Sequence, residues 1–349
     1  MSTNAVNASM VRLKDIAARA GVSVMTVSKC LRDQKDISPA TKARIQELAR
    51  AMGYVPDIAA KQFRSRATKL FGLVISAATN PIYSRIVMAI EERAHELGYE
   101  LLFAHTLNQP EREEKVIRRL LARRVEGLFV TPVYRLRPTA AVYEEIRRSK
   151  VPTVILGHRG LFCSDFANIE TDDITASYDV TKHLIDLGHK RIAYFTGSPI
   201  SPQAQERYEG YRRAMRDASL DLDDTLVFNA GGTIEEGEKA ALQLLNEHPG
   251  ATAVQAVNDL VAIGAANVLL NQGLEIPRDI SVAGFGNILV AEYFRVPLTT
   301  IRQPKLRLGF AAMELMEGLL RGEPPQTRRL RAQLEVRAST AAPLAKDLH

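Results

Sequence analysis

Residues 13–32 read LKDIAARAGVSVMTVSKCLR, and their spacing sets the organisation of the whole chain. Lys14 to Ala20 reads as a short helix, with Asp15 in its first turn where the helix dipole favours a negative charge. Gly21 supplies a left-handed stop and Val22 the apolar contact that follows it. Ser23 is placed to cap a second helix, Val24 to Arg32, by accepting a backbone N–H near Thr26. Val27, Cys30 and Leu31 fall on one face of that helix by i, i+3, i+4 spacing, so Cys30 reads as core. Val24, Met25, Ser28 and Lys29 are left largely on the other face. A third helix begins at Ser38-Pro39, a cap followed by proline at the first helical position. It buries Ile45, Leu48, Ala49 and Met52 and stops at Gly53. Two short helices joined by a glycine turn, with Ala17 and Ala20 small enough for close crossing, form a helix-turn-helix.

The charge distribution gives this module a partner. Residues 1–66 carry twelve Lys/Arg against five Asp/Glu, a surplus of +7, while the remaining residues hold 34 against 35. All the excess positive charge of a chain of net +6 therefore sits in its first fifth, as expected when one small module faces phosphates and the rest does not.

The run 13–32, followed by ISPATKARIQELARAMGYVPD at 37–57, closely resembles the headpiece of the LacI/GalR family of transcription regulators. The resemblance implies that Val24–Arg32 is a recognition helix. Val24 and Met25 would face base edges, where apolar groups contact thymine methyls, and Lys29 would donate to guanine O6/N7. The family often has arginine there, and lysine reads less directionally. Ser23, Thr26, Ser28 and Thr41 would touch phosphates; exposed helix polars are the plainer alternative for Thr26 and Ser28. Residues 57–64 (DIAAKQFR) resemble the family's hinge helix, which enters the minor groove as a dimer through Ala59, Ala60, Phe63 and Arg64. Phe63 stands where the family usually places a leucine wedge, and an apolar wedge kinks DNA; packing on the following domain is its alternative role.

From Lys69 onward, short β-rich runs alternate with amphipathic helices. The strands read as Phe71–Ile75, Leu101–Ala104, Gly127–Thr131, Thr153–Leu156, Ile192–Thr196, Ala253–Ala256 and Ser281–Phe285. The helices include Ile82–Leu97, Pro110–Arg123, Thr175–Leu187 and Gln205–Ser219. This alternation predicts α/β architecture with doubly wound parallel sheets, in more chain than one such unit needs. Arg118–Arg124 (RRLLARR) reads as the solvated side of one of the helices.

The body resembles the same family, and with it the periplasmic-binding-protein fold, through FGLVISAATNPIYSRIVMAIEERAHELGYELL (71–102), HLIDLGHKRIAYFTG (183–197), RYEGYRRAM (207–215), DISVAGFGN (279–287) and PLTTIRQP (297–304). The implied organisation is a headpiece over 11–56, a hinge over 57–68 and an effector-binding, dimerising domain over 69–340. Its N-terminal lobe would comprise 69–167 plus 304–320, and its C-terminal lobe 168–303 plus 321–340. The chain would cross between lobes near Asn168, Gln303 and Leu320, with flexible tails at 1–10 and 341–349.

A small molecule, best guessed as a sugar or sugar derivative, would sit between the lobes at the strand carboxyl ends. Ser76, Tyr83, Arg207, Asn258 and Gln303 match cleft-facing positions, Arg207 with a fork suited to hydroxyls or carboxylates. Each has a structural hydrogen-bonding role as its alternative. Where relatives often carry Asp after GF or GY, this chain has Gly286 and then Asn287; Asn287 would replace the lost carboxylate. Gly231-Gly232 leaves another stretch of wall bare.

Other chemistries find little here. Cys30 and Cys163 match no metal-ligand spacing and no disulfide framework. Gly284-Phe285-Gly286 lacks the third glycine of a dinucleotide fingerprint. His183 and His189 read as structural, as does His158, for which approach to the cleft is the alternative. No nucleophile–base–orienter set is visible, and no cofactor is expected. Residues 1–10 do not read as a signal peptide, and no apolar run reaches the roughly 20 residues of a membrane helix. The expectation is a cytoplasmic homodimer that binds a pseudo-palindromic operator and is switched by its effector. A solute-binding receptor without a DNA role is the alternative.

Overall fold

The computed structural model describes residues 11–55, 67–247 and 250–344. Packing divides the chain between Ala67 and Thr68 into two units, and each is described by itself.

The first unit holds α1 (Leu13–Ala20), α2 (Val24–Leu31) and α3 (Pro39–Ala51). Ile16, Ala17, Val27, Cys30, Ile45 and Ala49 form its core, with Leu48 and Met52 half-buried against it. The Arg12 amide donates to the Asp15 carboxylate at 2.8 Å, tying down the start of α1. Ser23 Oγ accepts the Thr26 amide at 3.1 Å and Ser38 Oγ the Thr41 amide at 3.3 Å. Gly21 turns the chain from α1 toward α2 at φ +67°, a left-handed value that a side chain disfavours.

The second unit contains two parallel sheets. The first has the order β11-β5-β4-β3-β1-β2, built from β1 (Leu70–Ile75), β2 (Glu100–His105), β3 (Gly127–Val130), β4 (Thr153–Leu156), β5 (Ala167–Thr171) and a late strand, β11 (Thr327–Leu330). Between these run α4 (Tyr83–Glu96), α5 (Pro110–Ala122) and α6 (Ala141–Ser149). Arg118, Arg119, Arg123 and Arg124 are exposed at the end of α5 while Leu120 is buried, the amphipathic arrangement expected of RRLLARR.

The second sheet has the order β7-β6-β8-β9, from β6 (Ile192–Thr196), β7 (Val227–Asn229), β8 (Ala253–Ala256) and β9 (Ser281–Ala283). Its helices are α7 (Asp173–Asp186), α8 (Pro202–Asp217), α9 (Ile234–Glu247), α10 (Asp259–Asn271) and the short α11 (Leu289–Tyr293). An antiparallel pair, β10 (Thr300–Arg302) with β12 (Gln333–Glu335), brackets the long α12 (Lys305–Leu320), which packs on α4, β4 and β5.

The passages between lobes differ from expectation at two points. Asn168 lies inside β5, where Ala167–Ile169 pair with β4, so the first sheet runs on to Thr171. After α12 the chain does not leave at Leu320; it returns as β11, whose Thr327–Leu330 pair with Asn168–Thr171, and only then crosses to β12. Each extra strand covers an edge that would otherwise expose unpaired backbone. Near Gln303 the chain passes from β10 into α12. Ala341 is not loose: its carbonyl accepts from His189 Nε2 at 2.8 Å and its amide donates to Ser281 Oγ at 3.1 Å.

Gly21 has no neighbour within 4 Å of where a Cβ would stand, so substitution there tests backbone conformation alone. Gly21→Val is expected to destabilise the α1–α3 unit by about 1–2 kcal/mol. Hydrogen exchange on the full chain should show faster exchange confined to residues 13–51.

Candidate functional site

Two places bring the proposed functional residues together. On α2, Val27 and Cys30 are wholly buried, while Val24 and Met25 are 46% and 69% exposed. The two exposed apolar side chains are adjacent in the chain and lie outside the core formed by Val27 and Cys30. Ser23, Thr26 and Thr41 belong to the caps: the Ser23 and Thr26 hydroxyls lie 2.9 Å apart, as do those of Ser38 and Thr41 at 2.8 Å. Ser28 is half-buried, its carbonyl accepting from Arg32 Nε at 3.0 Å. The Lys29 ammonium is bonded to Asp36, and that hydrogen bond holds the Asp36 carboxyl below its ordinary range. Ala59, Ala60, Phe63 and Arg64 lie outside the described residues.

The second place is a partly open cleft between the sheets of the second unit, about 940 Å³ when the solvent in its mouth is included. Tyr83, Arg207, Asn258 and Gln303 line it. Arg207 on α8 donates through Nε to Asp173 at 2.9 Å and through Nη1 to the Val257 carbonyl at 2.7 Å. Its guanidinium carbon lies 3.7 Å from the centre of the Phe285 ring. The fork is thus fixed, charge-matched and stacked. Asn258 caps α10, accepting the Val261 amide at 2.9 Å, and donates to the Gly232 carbonyl at 3.2 Å. Gln303 donates to Thr171 Oγ1 at 3.0 Å. Tyr83 accepts from Ser76 Oγ at 3.0 Å, and burial pushes its pKa up. Ser76 stands behind Tyr83 rather than on the wall.

Asn287 is not a wall residue. Its Oδ1 accepts from Arg337 at 2.8 Å, which turns the side chain away, so it does not replace the missing carboxylate. The carboxylate beside Gly286 belongs to Asp259, buried and accepting from Thr300 Oγ1 at 2.5 Å and the Ile288 amide at 2.8 Å. Burial raises its pKa. Lys305, at the start of α12, donates to the Gly286 and Asn287 carbonyls at 2.7 and 2.8 Å, and burial pulls its pKa down to about 8.

His158 also lines the cleft, against the structural reading of it. Following β4, it meets Glu206 of α8 at 2.9 Å, so the bond spans the two lobes. Arg329 on β11 joins the same carboxylate at 2.9 Å and also holds Glu170. Burial works against the His158 cation, but the bond to Glu206 and the nearby Asp173 and Glu170 outweigh it, so its pKa is raised. His183 and His189 are structural: burial lowers both, and His189 bridges Thr252, Ser281 and Ala341.

A helix-turn-helix unit followed by a two-lobed, periplasmic-binding-protein-like domain with a polar cleft defines a ligand-responsive transcription regulator. Residues 12–57 match the model for bacterial regulatory proteins of the lacI family, and residues 181–340 that for a periplasmic binding protein-like domain. The chain is 31% identical to the HTH-type transcriptional regulator DegA of Bacillus subtilis (strain 168), over 84% of this chain and 87% of that protein. Among solved structures it resembles a lac repressor dimer bound to operator and the anti-inducer ONPF, at 26% identity and TM-score 0.83, covering 95% of this chain and 100% of that one. It also resembles a complex of the regulator CelR with cellobiose, at 29% identity and TM-score 0.73, covering 94% and 99%. The chain belongs to the lacI family of bacterial regulatory proteins.

A histidine whose folded pKa lies above its ordinary 6.5 stabilises fully below that value and loses its contribution as pH rises through the raised pKa. His158→Gln should therefore lower the melting temperature more at about pH 6 than at about pH 8. An equal loss at both values would mean that packing, not charge, is what the ring supplies.

Proposed function

We propose that this regulator is a cytoplasmic, homodimeric repressor without enzymatic activity, released from or held to its operator by a small molecule in the cleft. In this reading residues 11–56 bind DNA, 57–68 form the hinge and the remainder senses the effector. Val24, Met25 and Lys29 read base edges, Ser23, Thr26, Ser28 and Thr41 touch phosphates, and Ala59, Ala60, Phe63 and Arg64 meet the minor groove. The observation that carries it is the exposure of Val24 and Met25 on a helix whose other face buries Val27 and Cys30 completely. A receptor without a DNA role has no use for that surface and is not favoured.

The effector reading rests on the state of the cleft charges. Arg207 is matched by Asp173, and Glu170 by Arg329. A neutral molecule rich in hydroxyls exchanges hydrogen bonds with such pairs without leaving a charge unpaired. A sugar or sugar derivative fits that description, and cellobiose in the related complex is one. Tyr83, Arg207, Asn258 and Gln303 are the proposed contacts, with Ser76 acting through Tyr83.

Selection of bound sites from random duplex DNA tests the regulator reading; it should return a two-fold symmetric site, one half per recognition helix. Lys29→Ala should weaken binding by about 1–3 kcal/mol and relax preference at one base pair per half-site. Uniform weakening across all sequences would remove Lys29 from base readout. Arg207→Ala should abolish the response to sugars, screened as shifts in operator affinity, while DNA binding without ligand persists. A retained response would take Arg207 off the site.

A further inference from the structure

Asp36 is an acid on the most basic part of the chain, in the α2–α3 connection, bonded to the one cationic side chain to which base readout is assigned above. The neighbouring connection residues are tied down as well. Lys42 holds Asp33 at 2.8 Å, and the Gln34 amide donates to the Lys29 carbonyl at 3.1 Å. Asp36 therefore sits on a fixed loop, and its side chain is 52% exposed.

We propose that Asp36 is a specificity-determining residue that restrains Lys29 from binding DNA backbone indiscriminately. The inference rests on the assignment of Lys29 to the DNA surface. Binding to non-operator DNA is almost wholly phosphate neutralisation and counterion release. An ammonium already neutralised by a carboxylate contributes little to it. On operator, guanine O6 and N7 accept from the ammonium and replace Asp36 as its partner. The ion pair thus weakens non-operator binding more than operator binding and raises the ratio of the two, which governs occupancy among many competing sites. Lysine suits this exchange: a compact charge on a flexible stem moves between partners more freely than a bidentate arginine fork.

The test uses the full-length protein, the selected operator and a duplex of the same length with scrambled sequence, over about 50–200 mM salt. Asp36→Asn should bind the scrambled duplex about fivefold more tightly at the lowest salt, the size expected of an exposed ion pair. Its plot of log affinity against log salt should steepen by about 0.9 per headpiece, with operator affinity changed much less. In a Lys29→Ala background the same substitution should have almost no effect on the scrambled duplex. An equal effect in both backgrounds would mean that Asp36 acts only as a general negative charge, and no effect in either would remove its role; both overturn the proposal. Loss of operator binding with the scrambled duplex unchanged would also overturn it, making Asp36 itself a reader of a base edge. Base preference in Lys29→Ala alone reports separately on the assignment of Lys29, so the two failures are distinguishable.

Discussion

Parallel pairing throughout the two main sheets is the constraint on which the rest of the second unit depends. Parallel neighbours cannot be joined by a tight turn, so each strand is followed by a crossover, and here most crossovers carry a helix. The carboxyl ends of all strands in a sheet then lie along one edge. Thr131 after β3, His158 after β4, Asn258 after β8 and Phe285 after β9 reach the same cleft for that reason, although they come from distant parts of the chain. The antiparallel β10–β12 pair is the exception, and it stands where the chain passes between lobes.

The two functional surfaces solve opposite problems. The helix-turn-helix leaves apolar groups in water, held by a core of six small or medium side chains beneath them. The cleft carries charges in partly enclosed surroundings, and each is matched: Arg207 by Asp173, Glu170 by Arg329, and Asp259 by a hydroxyl and an amide. Leaving one of these unpaired would cost several kcal/mol, so a ligand that enters must return each hydrogen bond it takes. Adjacent residues of α8 divide the work. Arg207 lines the cleft beside Asp173, and Glu206 binds His158 and Arg329 across the lobes.

Local signals in the sequence were enough for the three N-terminal helices, because a cap, a glycine stop and an i, i+3, i+4 stripe all lie within eight or so residues of one another. The hydrophobic strands were legible for the same reason: Thr153–Leu156, Ile192–Thr196 and Ala253–Ala256 are short, mostly apolar runs with the bounds read from sequence. β5 and β11 were not. ANIET and TRRL carry Asn168, Glu170 and Arg329, which look like loop residues until their partners from the other strand are in place. The cleft was half legible. Arg207, Asn258, Gln303 and Tyr83 came through resemblance to relatives, but Asp173 and Asp259 did not. The partners that define them, Arg207 and Thr300, lie 34 and 41 residues away. The nearest signal was an acid directly after a helix cap, as in Asp172-Asp173 and Asn258-Asp259. Asn287 failed for the converse reason, since its partner Arg337 is 50 residues distant.

The place of β11 at the edge of the first sheet bears on how the protein is made. Translation delivers β1 to β5 early, yet β5 has no outer neighbour until Thr327–Leu330 has been synthesised, and α12 arrives only shortly before. The first lobe therefore emerges with an open strand edge and a helix-sized gap over its core, while most of the second lobe is synthesised in the interval. Nascent chains in this condition are prone to pair with one another. The polar residues Asn168 and Glu170 in the waiting strand discourage such pairing until Arg329 arrives to satisfy Glu170. Thr327–Leu330 is thus the last strand that the first sheet receives, and a chain that stops short of residue 327 lacks part of the frame of its cleft.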